Sequence, residues 1–451
     1  MVIVSKFGGG ILKDEENFEA AAKIIRSKKE HTVVVVSAAN GVTDSIIEAL
    51  HSASKGTFDV DLFTEDLAKK HESLIKHIEN PKIRESAVSR IREKAATLNK
   101  LLCGVLFLRE ASPRVNDLAM SFGERLSGIV FEAHLLDSGI NAKAFEADRI
   151  GILTTDRFGK AKPLLEETRL NLERTIIPFL SKGTAVVTGF FGADEHGNVT
   201  TFGRGGSDFS AGIIANVLDA ERLEIWKDVP GFMSADPRIV PQAKKIDMLS
   251  YDEAEELGYF GAKILHPKTI APMRSKNIPI VIKSILEPSS DGTQISEKRH
   301  KMTQVAKSVA VKMNVSMLTV KGAEVLDMTQ TIPFLSKLAE YDISLDAVST
   351  SETGMSLVFD KNDVHKVKNA LKHFPSAEGI EFEENVSLVG LIGEGMKSEP
   401  GISGRLFRSI GDAGVSIRMI SQGASEINIS FVIKRKDVNV ALNAIHAEFM
   451  E

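Results

Sequence analysis

The chain reads as an α/β protein: a layered domain built on a buried, open parallel sheet, followed by a smaller α+β unit that occurs twice. Three observations predict this. Short apolar runs at 2–4 and 32–37 each stop in a polar, glycine-bearing turn before residues with helical spacing, and β-branched runs of that kind mark strands buried on both faces. The stretch 61–108 changes to long amphipathic helices, with apolar residues at three- and four-residue steps and Pro81 between two sets. From about Met302 a β-α-β-β-α order appears, and it recurs from Val386.

A length of 451 residues suits two or three domains. The 56 basic side chains nearly cancel the 61 acidic ones, which gives no electrostatic reason to expect a nucleic acid or an anionic membrane as partner. Cys103 is the only cysteine, so intrachain disulfides and cysteine-based metal clusters are excluded. The start, Met-Val-Ile-Val-Ser-Lys-Phe, lacks the apolar segment of a signal peptide, and no run is long enough to span a bilayer. These features predict a soluble cytoplasmic protein.

Taken in order, the first strand ends at Ser5-Lys6-Phe7-Gly8-Gly9-Gly10, which puts an ammonium beside open backbone donors. It is a phosphate contact or a solvated lysine before a flexible turn; the lysine precedes the glycines, so it is not the Walker pattern. The second strand opens into 37–44, and turns of this kind at strand ends are where ligands bind in open α/β sheets. His71 and His77 are six residues apart on different helix faces, which argues against a metal site. Glu124-Arg125 reads as a surface ion pair unless other residues say otherwise. A buried strand at 185–188 and a hairpin arm at 199–202 lead into Phe202-Gly203-Arg204-Gly205-Gly206-Ser207-Asp208, followed by a helix start. Bare glycine N–H groups at a helix N-terminus form a phosphate cradle, Arg204 suits a carboxylate, and Asp208 suits magnesium or a lysine. The plain alternative is a glycine-rich hairpin loop with solvated charges. A strand at 222–226, loops at 227–231 and 234–238, and a strand at 279–282 as the last of the layer complete the domain, with His266 as a packed loop histidine.

Lys6-Phe-Gly-Gly, Gly123-Glu-Arg-Leu-Ser, Gly203-Arg-Gly-Gly-Ser-Asp, Asp228-Val-Pro-Gly, Ala235-Asp-Pro-Arg and Tyr259-Phe-Gly-Ala-Lys-Ile-Leu-His-Pro occur in the order and approximate spacing of aspartate kinases. The resemblance covers essentially the whole chain. It implies a three-layer α/β/α amino-acid-kinase sandwich followed by two ferredoxin-like (α+β) ACT domains, and phosphorylation of the side-chain carboxylate of L-aspartate by ATP with Mg²⁺. Carried over by position, Lys6, Gly8, Gly9 and Lys263 resemble phosphate contacts, and Ser37, Thr43, Glu124, Arg204 and Ser207 resemble the aspartate site. Lys227, Asp228, Met233, Asp236 and Arg238 fall where the family holds the nucleotide, and Lys6, Asp208 and Glu124 form the catalytic set, with no protein metal ligand among them. Two positions depart from the family: Gly10 stands where relatives carry Thr or Ser, and Lys227 where they carry Thr. A non-catalytic amino-acid sensor, or another amino-acid kinase such as a glutamate kinase, are the other classes open to such a chain.

The chemistry fits these residue types. A carboxylate with a free pKa of about 3.9 is already ionised at neutral pH, so no general base is required. The obstacle is repulsion between anions, ~4 kcal/mol for two unit charges ~4 Å apart at an effective dielectric near 20. Lysines, glycine N–H groups and magnesium answer that need; Arg204 would clamp the α-carboxylate and Glu124 attract the α-ammonium.

The resemblance divides the chain into a kinase domain at 1–300, a first ACT domain at 313–384, and a second made of 301–312 with 385–451. The second repeat lacks a last strand, and the β-prone segment 304–311 is predicted to fill that edge. ACT domains imply an amino-acid effector and a homodimer or higher homo-oligomer, and a chain ending at Glu451 leaves no room for the homoserine dehydrogenase fused to some relatives. Met328, Thr331, Leu345, Asp346, Ser351 and Glu352 fall where lysine-sensitive relatives hold the inhibitor. Asp346 in an apolar strand offers a carboxylate to an ammonium, with Glu352 beyond it, so L-lysine is the predicted effector.

Overall fold

The computed structural model describes residues 1–260, 264–297, 305–322, 328–372, 379–423 and 425–450, with nothing described of the side chains of Met328 and Gln330. The chain divides into two compact units, one of 1–231, 247–251 and 264–297, the other of 232–246, 252–263 and 298–451.

The first unit is layered around a sheet. Its strands are β1 (Val2–Phe7), β2 (His31–Val36), β3 (Ala142–Phe145), β4 (Thr184–Thr188), β5 (Phe191–Ala193), β6 (Val199–Thr201), β7 (Arg222–Lys227), β8 (Met248–Leu249), β9 (Ile280–Ser284) and β10 (Thr293–Ile295). Among the described residues the main sheet has the order β3-β4-β2-β1-β7-β9-β10-β8, and β5 pairs with β6 as a separate hairpin. Neighbours from β3 to β9 are parallel. The order reverses between β1 and β7, and such a switch point opens a crevice beyond the strand ends.

The expectation that β9 closes the layer is corrected. β10 runs antiparallel to β9, and β8 adds parallel to β10. Two- and three-residue strands are too short for a visible alternation, which is why the sequence pattern misses them.

Helices cover both faces. Along the chain they are α1 (Glu15–Arg26), α2 (Val42–Ser54), α3 (Val60–Ser73), α4 (Pro81–Leu108), α5 (Pro113–Met120), α6 (Phe122–Asp137), α7 (Leu165–Thr175), α8 (Ile177–Leu180) and α9 (Gly206–Val217), then, after α10 (Tyr251–Tyr259), most of which belongs to the second unit, α11 (Ile270–Arg274). Phe7, Val34, Val36, Val186 and Trp226 point to one face, into a core shared with α1 to α6. The alternate residues Val35 and Ile225 are buried but outside that core, toward the side where α9 packs on β1, β2 and β7. Lys6 is level with Val35 and Ile225 in the ladders, so period two sends its side chain toward α9. The helical stretch starts and stops by local chemistry: Asp59, Asn80 and Ser112 cap α3, α4 and α5, and Pro81 stands at the first turn of α4. His71 is buried and bonded to the Leu67 carbonyl at 2.8 Å, while the exposed His77 ring lies 2.6 Å from Glu15.

The second unit contains β11 (Ser308–Lys321), α12 (Met328–Glu340), β12 (Leu345–Ser351), β13 (Gly354–Asp360), α13 (Val364–Leu371), β14 (Gly379–Ile392), α14 (Ile402–Asp412), β15 (Ile417–Gln422), β16 (Asn428–Lys434) and α15 (Val438–Met450). Its sheet has the order β12-β13-β11-β14-β16-β15. Two cores form on it. Leu318, Val320, Phe334, Leu357 and Phe359 make one. Val309, Val389, Leu406, Phe431 and Leu442 make the other, together with Ala235 and Val240 from the segment 232–246. β11 serves both cores because its register shifts between Lys312 and Val315. Before the shift, Ser308–Lys312 pairs with Leu388–Ile392 of the second repeat; after it, 315–321 also pairs with β13 of the first. Gln304, the first residue of the predicted edge segment, lies outside the described residues. β14 begins at Gly379 rather than Val386, since its first half is polar and only the second half carries the apolar run. Among the described residues no helix is long and apolar enough to cross a membrane.

Candidate active site

A cleft of about 580 Å³ lies in the first unit, and Lys6, Gly9, Ser37, Thr43, Glu124, Arg204, Ser207 and Asp208 all line it. Residues as far apart in sequence as Lys6 and Asp208 meet there because β1, β2 and β4 run parallel and end at the same level. Two glycines make the approach possible. A Cβ on Gly9 would stand 2.8 Å from the Ala38 carbonyl oxygen, so the turns after β1 and β2 touch. Gly205, at φ 72°, caps α9 in the left-handed region, and a Cβ there would sit 2.4 Å from Cγ of His266. His266 is therefore packed against the cradle, and burial lowers its pKa.

The charges are arranged around Asp208 in the first turn of α9. Lys6 forms an ion pair with Oδ1, and Lys227 Nζ stands 3.6 Å from Oδ2. Burial would push the Asp208 carboxyl up, but the two lysines outweigh it and hold it below the usual carboxylate range. Burial likewise depresses Lys6, against the attraction of Asp208. Two ammonium groups thus face the helix N-terminus, whose N–H groups add partial positive charge. Gly8 belongs to the same cluster, because a Cβ there would be 3.1 Å from Lys6 Nζ.

Glu124 is not half of a surface pair. It is buried at 3 % exposure, accepts from Ser207 Oγ at 3.3 Å, and leaves Oε2 without a partner among the described residues. Burial pushes its pKa up to about 8, against hydrogen bonds from Ala38 and Ser207. Arg125 turns the other way, to Glu146 and to Asp148 at 3.1 Å. Arg204 is exposed at the rim of the cleft, with its guanidinium unpaired among the described residues.

The other candidates are placed less closely. Asp228 is exposed in the turn after β7. Met233, Asp236 and Arg238 lie on the segment 232–246 of the second unit, where Asp236 and Arg238 pair at 2.6 Å and the Met233 carbonyl accepts from Ser308 Oγ at 3.0 Å. Lys263 is outside the described residues. In the second unit, Met328 and Thr331 open α12, Leu345, Asp346 and Ser351 are on β12, and Glu352 is in the turn to β13. Asp346 and Glu352 are six positions apart along β12 and the start of its turn, about 20 Å at ~3.3 Å each, so within one chain a single ammonium reaches one of them.

Sequence reasoning missed the residues that hold the cradle in shape. Asp117, buried on α5, accepts from Gly159 N at 2.8 Å, Thr201 N at 2.7 Å and Thr201 Oγ1 at 2.9 Å, which fixes the hairpin arm before Gly203. Phe190 lines the cleft in the left-handed region at φ 74°. An aspartate in a helix and a phenylalanine after a glycine carry no sequence signal for either role.

The fold and cleft together define an anion site at the strand ends of a parallel α/β sheet, of the kind that holds phosphates and carboxylates. A family model described as "Amino acid kinase family" matches residues 1–284, and one described as "ACT domain" matches 389–449. Aspartokinase 2, chloroplastic, of Arabidopsis thaliana is 33 % identical over 471 residues, covering 100 % of this chain and 85 % of its own. The structure of Escherichia coli aspartokinase III in complex with aspartate and ADP (R-state) superposes with a TM-score of 0.84 at 28 % identity, covering 100 % of both chains. The same enzyme in complex with lysine and aspartate (T-state) gives 0.85 at 28 % identity, again over 100 % of both. The chain belongs to the aspartokinases, within the amino acid kinase family.

Proposed function

We infer that the cleft carries the reaction of that family, transfer of the ATP γ-phosphoryl group to the side-chain carboxylate of L-aspartate, under feedback control by an amino acid at the carboxyl-terminal unit. The observation that carries the reading is the Lys6–Asp208–Lys227 cluster at the N-terminus of α9. Two anions must meet during the transfer, and two ammonium groups fixed by one carboxylate attenuate their repulsion without rearranging at the moment of reaction. Asp208 acts as the positioning residue that holds both. Lys6 contacts the phosphate, Lys227 reaches toward it, Glu124 takes the α-ammonium with its unpartnered Oε2, and Arg204 closes on the α-carboxylate from the rim. Ser37, Thr43 and Ser207 supply neutral donors around the substrate.

Nucleotide binding is supported by the ADP complex of the Escherichia coli relative. Magnesium is proposed to arrive with the nucleotide. Among the described residues no group of three His, Cys, Asp or Glu could cage an ion, and both oxygens of Asp208 face lysines, so phosphates and water would supply most ligands. L-lysine is proposed as the effector, supported by the lysine complex of the same relative and by the buried Asp346 carboxylate. The division into 1–300, 313–384, and 301–312 with 385–451 is retained as a proposal, supported for the last part by the pairing of 308–312 with 388–392. A homo-oligomer through the ACT domains and a cytoplasmic location, in keeping with a lone exposed thiol at Cys103, complete the reading.

The test is ADP release coupled to a spectroscopic signal, with L-aspartate, L-glutamate or no acceptor. Release dependent on aspartate, with glutamate at background, is expected. Equal rates with both acceptors would move the chain to another amino-acid kinase, and no release at all would leave a sensor.

A further inference from the structure

Lys312 lies on β11 just before the register shift, and Asp346 lies on β12 at a bulge where Leu345 faces Phe359 and Ala347 faces Val358. The bulge takes Asp346 out of strict alternation, so its side chain turns inward and is only 5 % exposed. There Lys312 Nζ stands 2.6 Å from Oδ1. The Tyr259 hydroxyl, at the end of α10, is 3.3 Å from the same oxygen and 3.2 Å from the Leu345 carbonyl. Lys312 Nζ also sits over the Tyr259 ring, 5.7 Å from its centroid. Oδ2 of Asp346 is buried without a hydrogen-bond partner among the described residues. The site is a buried carboxylate with one oxygen engaged by a tethered ammonium and one oxygen open.

We propose that Lys312 is an internal competitor for the effector's ammonium, and so sets the concentration at which a cationic amino acid acts on this chain. The proposal rests on the reading of Asp346 as an effector residue. An unpaired buried carboxylate is costly, and Lys312 removes that cost in the free protein. An ammonium arriving at Oδ2 meets a carboxylate already neutralised and a like charge beside it. It binds at a loss, or it expels Lys312, whose side chain is 26 % exposed and has a way out to solvent. Expulsion also ends the cation–π contact with Tyr259 and changes what its hydroxyl faces. Burial and the neighbouring carboxylate push the phenol's pKa above its ordinary value, so Tyr259 stays a donor and follows the charge it bonds. Occupancy of the site is thereby registered at the end of α10. A tethered competitor also gives the two states that effector action requires, one with Lys312 on Asp346 and one with it displaced.

The experiment titrates L-lysine into the aspartate-dependent ADP-release assay and into a calorimeter, using full-length wild type, Lys312→Met, Lys312→Arg and Asp346→Asn. Lys312→Met is expected to lower the half-inhibitory lysine concentration and the Kd roughly ten-fold, about 1.4 kcal/mol. Its unfolding midpoint without lysine should fall, and lysine should raise that midpoint more than in the wild type. Lys312→Arg, which keeps the cation and folds with the pair intact, should need as much lysine as the wild type or more. An unchanged or raised lysine requirement in Lys312→Met overturns the competitor, as does a tighter response in Lys312→Arg. Failure of the underlying reading looks different: lysine inhibition undiminished in Asp346→Asn removes Asp346 from the effector site, whatever the lysine variants do.

Discussion

Asp208 and Asp346 are both buried carboxylates neutralised by lysine, one in each unit. Asp208 has a lysine on each oxygen, from β1 and from the end of β7, and both come off strands of a parallel sheet buried on two faces. Asp346 has one lysine on one oxygen, and it sits at a bulge beside a register shift, with its second oxygen open. The first arrangement is closed and held on regular elements, which suits charge that must be in place before the reaction begins. The second is half-satisfied and lies where pairing is irregular, which suits a site that changes partner. On the proposed reading, the same pair of residue types would serve catalysis or regulation according to how completely the carboxylate is engaged.

The largest effect is expected from breaking the closed arrangement. Lys6→Met should reduce turnover by roughly 10³-fold or more, because one of two fixed cations facing the transferred group is lost. Removing one partner of a buried pair costs about 3–5 kcal/mol of stability, so thermal unfolding must show that the variant is folded before its rate is read. Turnover within a few-fold of wild type would remove Lys6 from the phosphate. Next in size is Arg204→Ala, which should raise the aspartate KM about 30-fold while changing kcat much less, as for loss of a charge-assisted clamp that serves ground state and transition state alike. A lowered kcat at unchanged KM would place Arg204 on the transferring group instead.

How much of this was legible beforehand differs between the two sites. The run 32–37, the glycines at 8–10 and at 203, 205 and 206, and Lys6, Arg204 and Asp208 announce a strand-end anion site, because strand, turn and charge are each written in neighbouring residues. That Asp208 is gripped by two lysines was not, since the grip depends on β7 pairing beside β1, with Ile3 opposite Arg222 in the ladder. Phe190 and Asp117 gave no signal, because left-handed backbone and buried N–H acceptors are fixed by tertiary packing. Asp346 was singled out, but its partner Lys312 was not, because a bulge on one strand and a register shift on another bring them together and neither has a sequence mark.

A smaller effect sharpens the aspartate side of the comparison. With Glu124 raised by burial to about 8, the protonated, neutral form dominates at pH 7 and binds an ammonium poorly. The aspartate kcat/KM should therefore rise with pH and level off above about 8, since this parameter reports the free enzyme. Glu124→Gln should lower kcat/KM and abolish the inflection; a flat profile in the wild type would contradict the assignment. The smallest effect concerns Gly10. A Cβ there meets nothing within 4 Å, so Gly10→Ser should fold normally and alter kcat by less than about three-fold, because the backbone N–H is present in both. A large gain would mean that the missing hydroxyl had been limiting.

The most direct test sets the two carboxylates side by side in one aspartate-dependent ADP-release assay, with wild type, Asp208→Asn and Asp346→Asn measured with and without L-lysine, each normalised to its own uninhibited rate. Asp208→Asn is predicted to lose roughly 10³-fold in turnover, and Asp346→Asn to turn over equally fast with and without lysine. Turnover within a few-fold of wild type in Asp208→Asn, or lysine sensitivity equal to wild type in Asp346→Asn, would contradict the account.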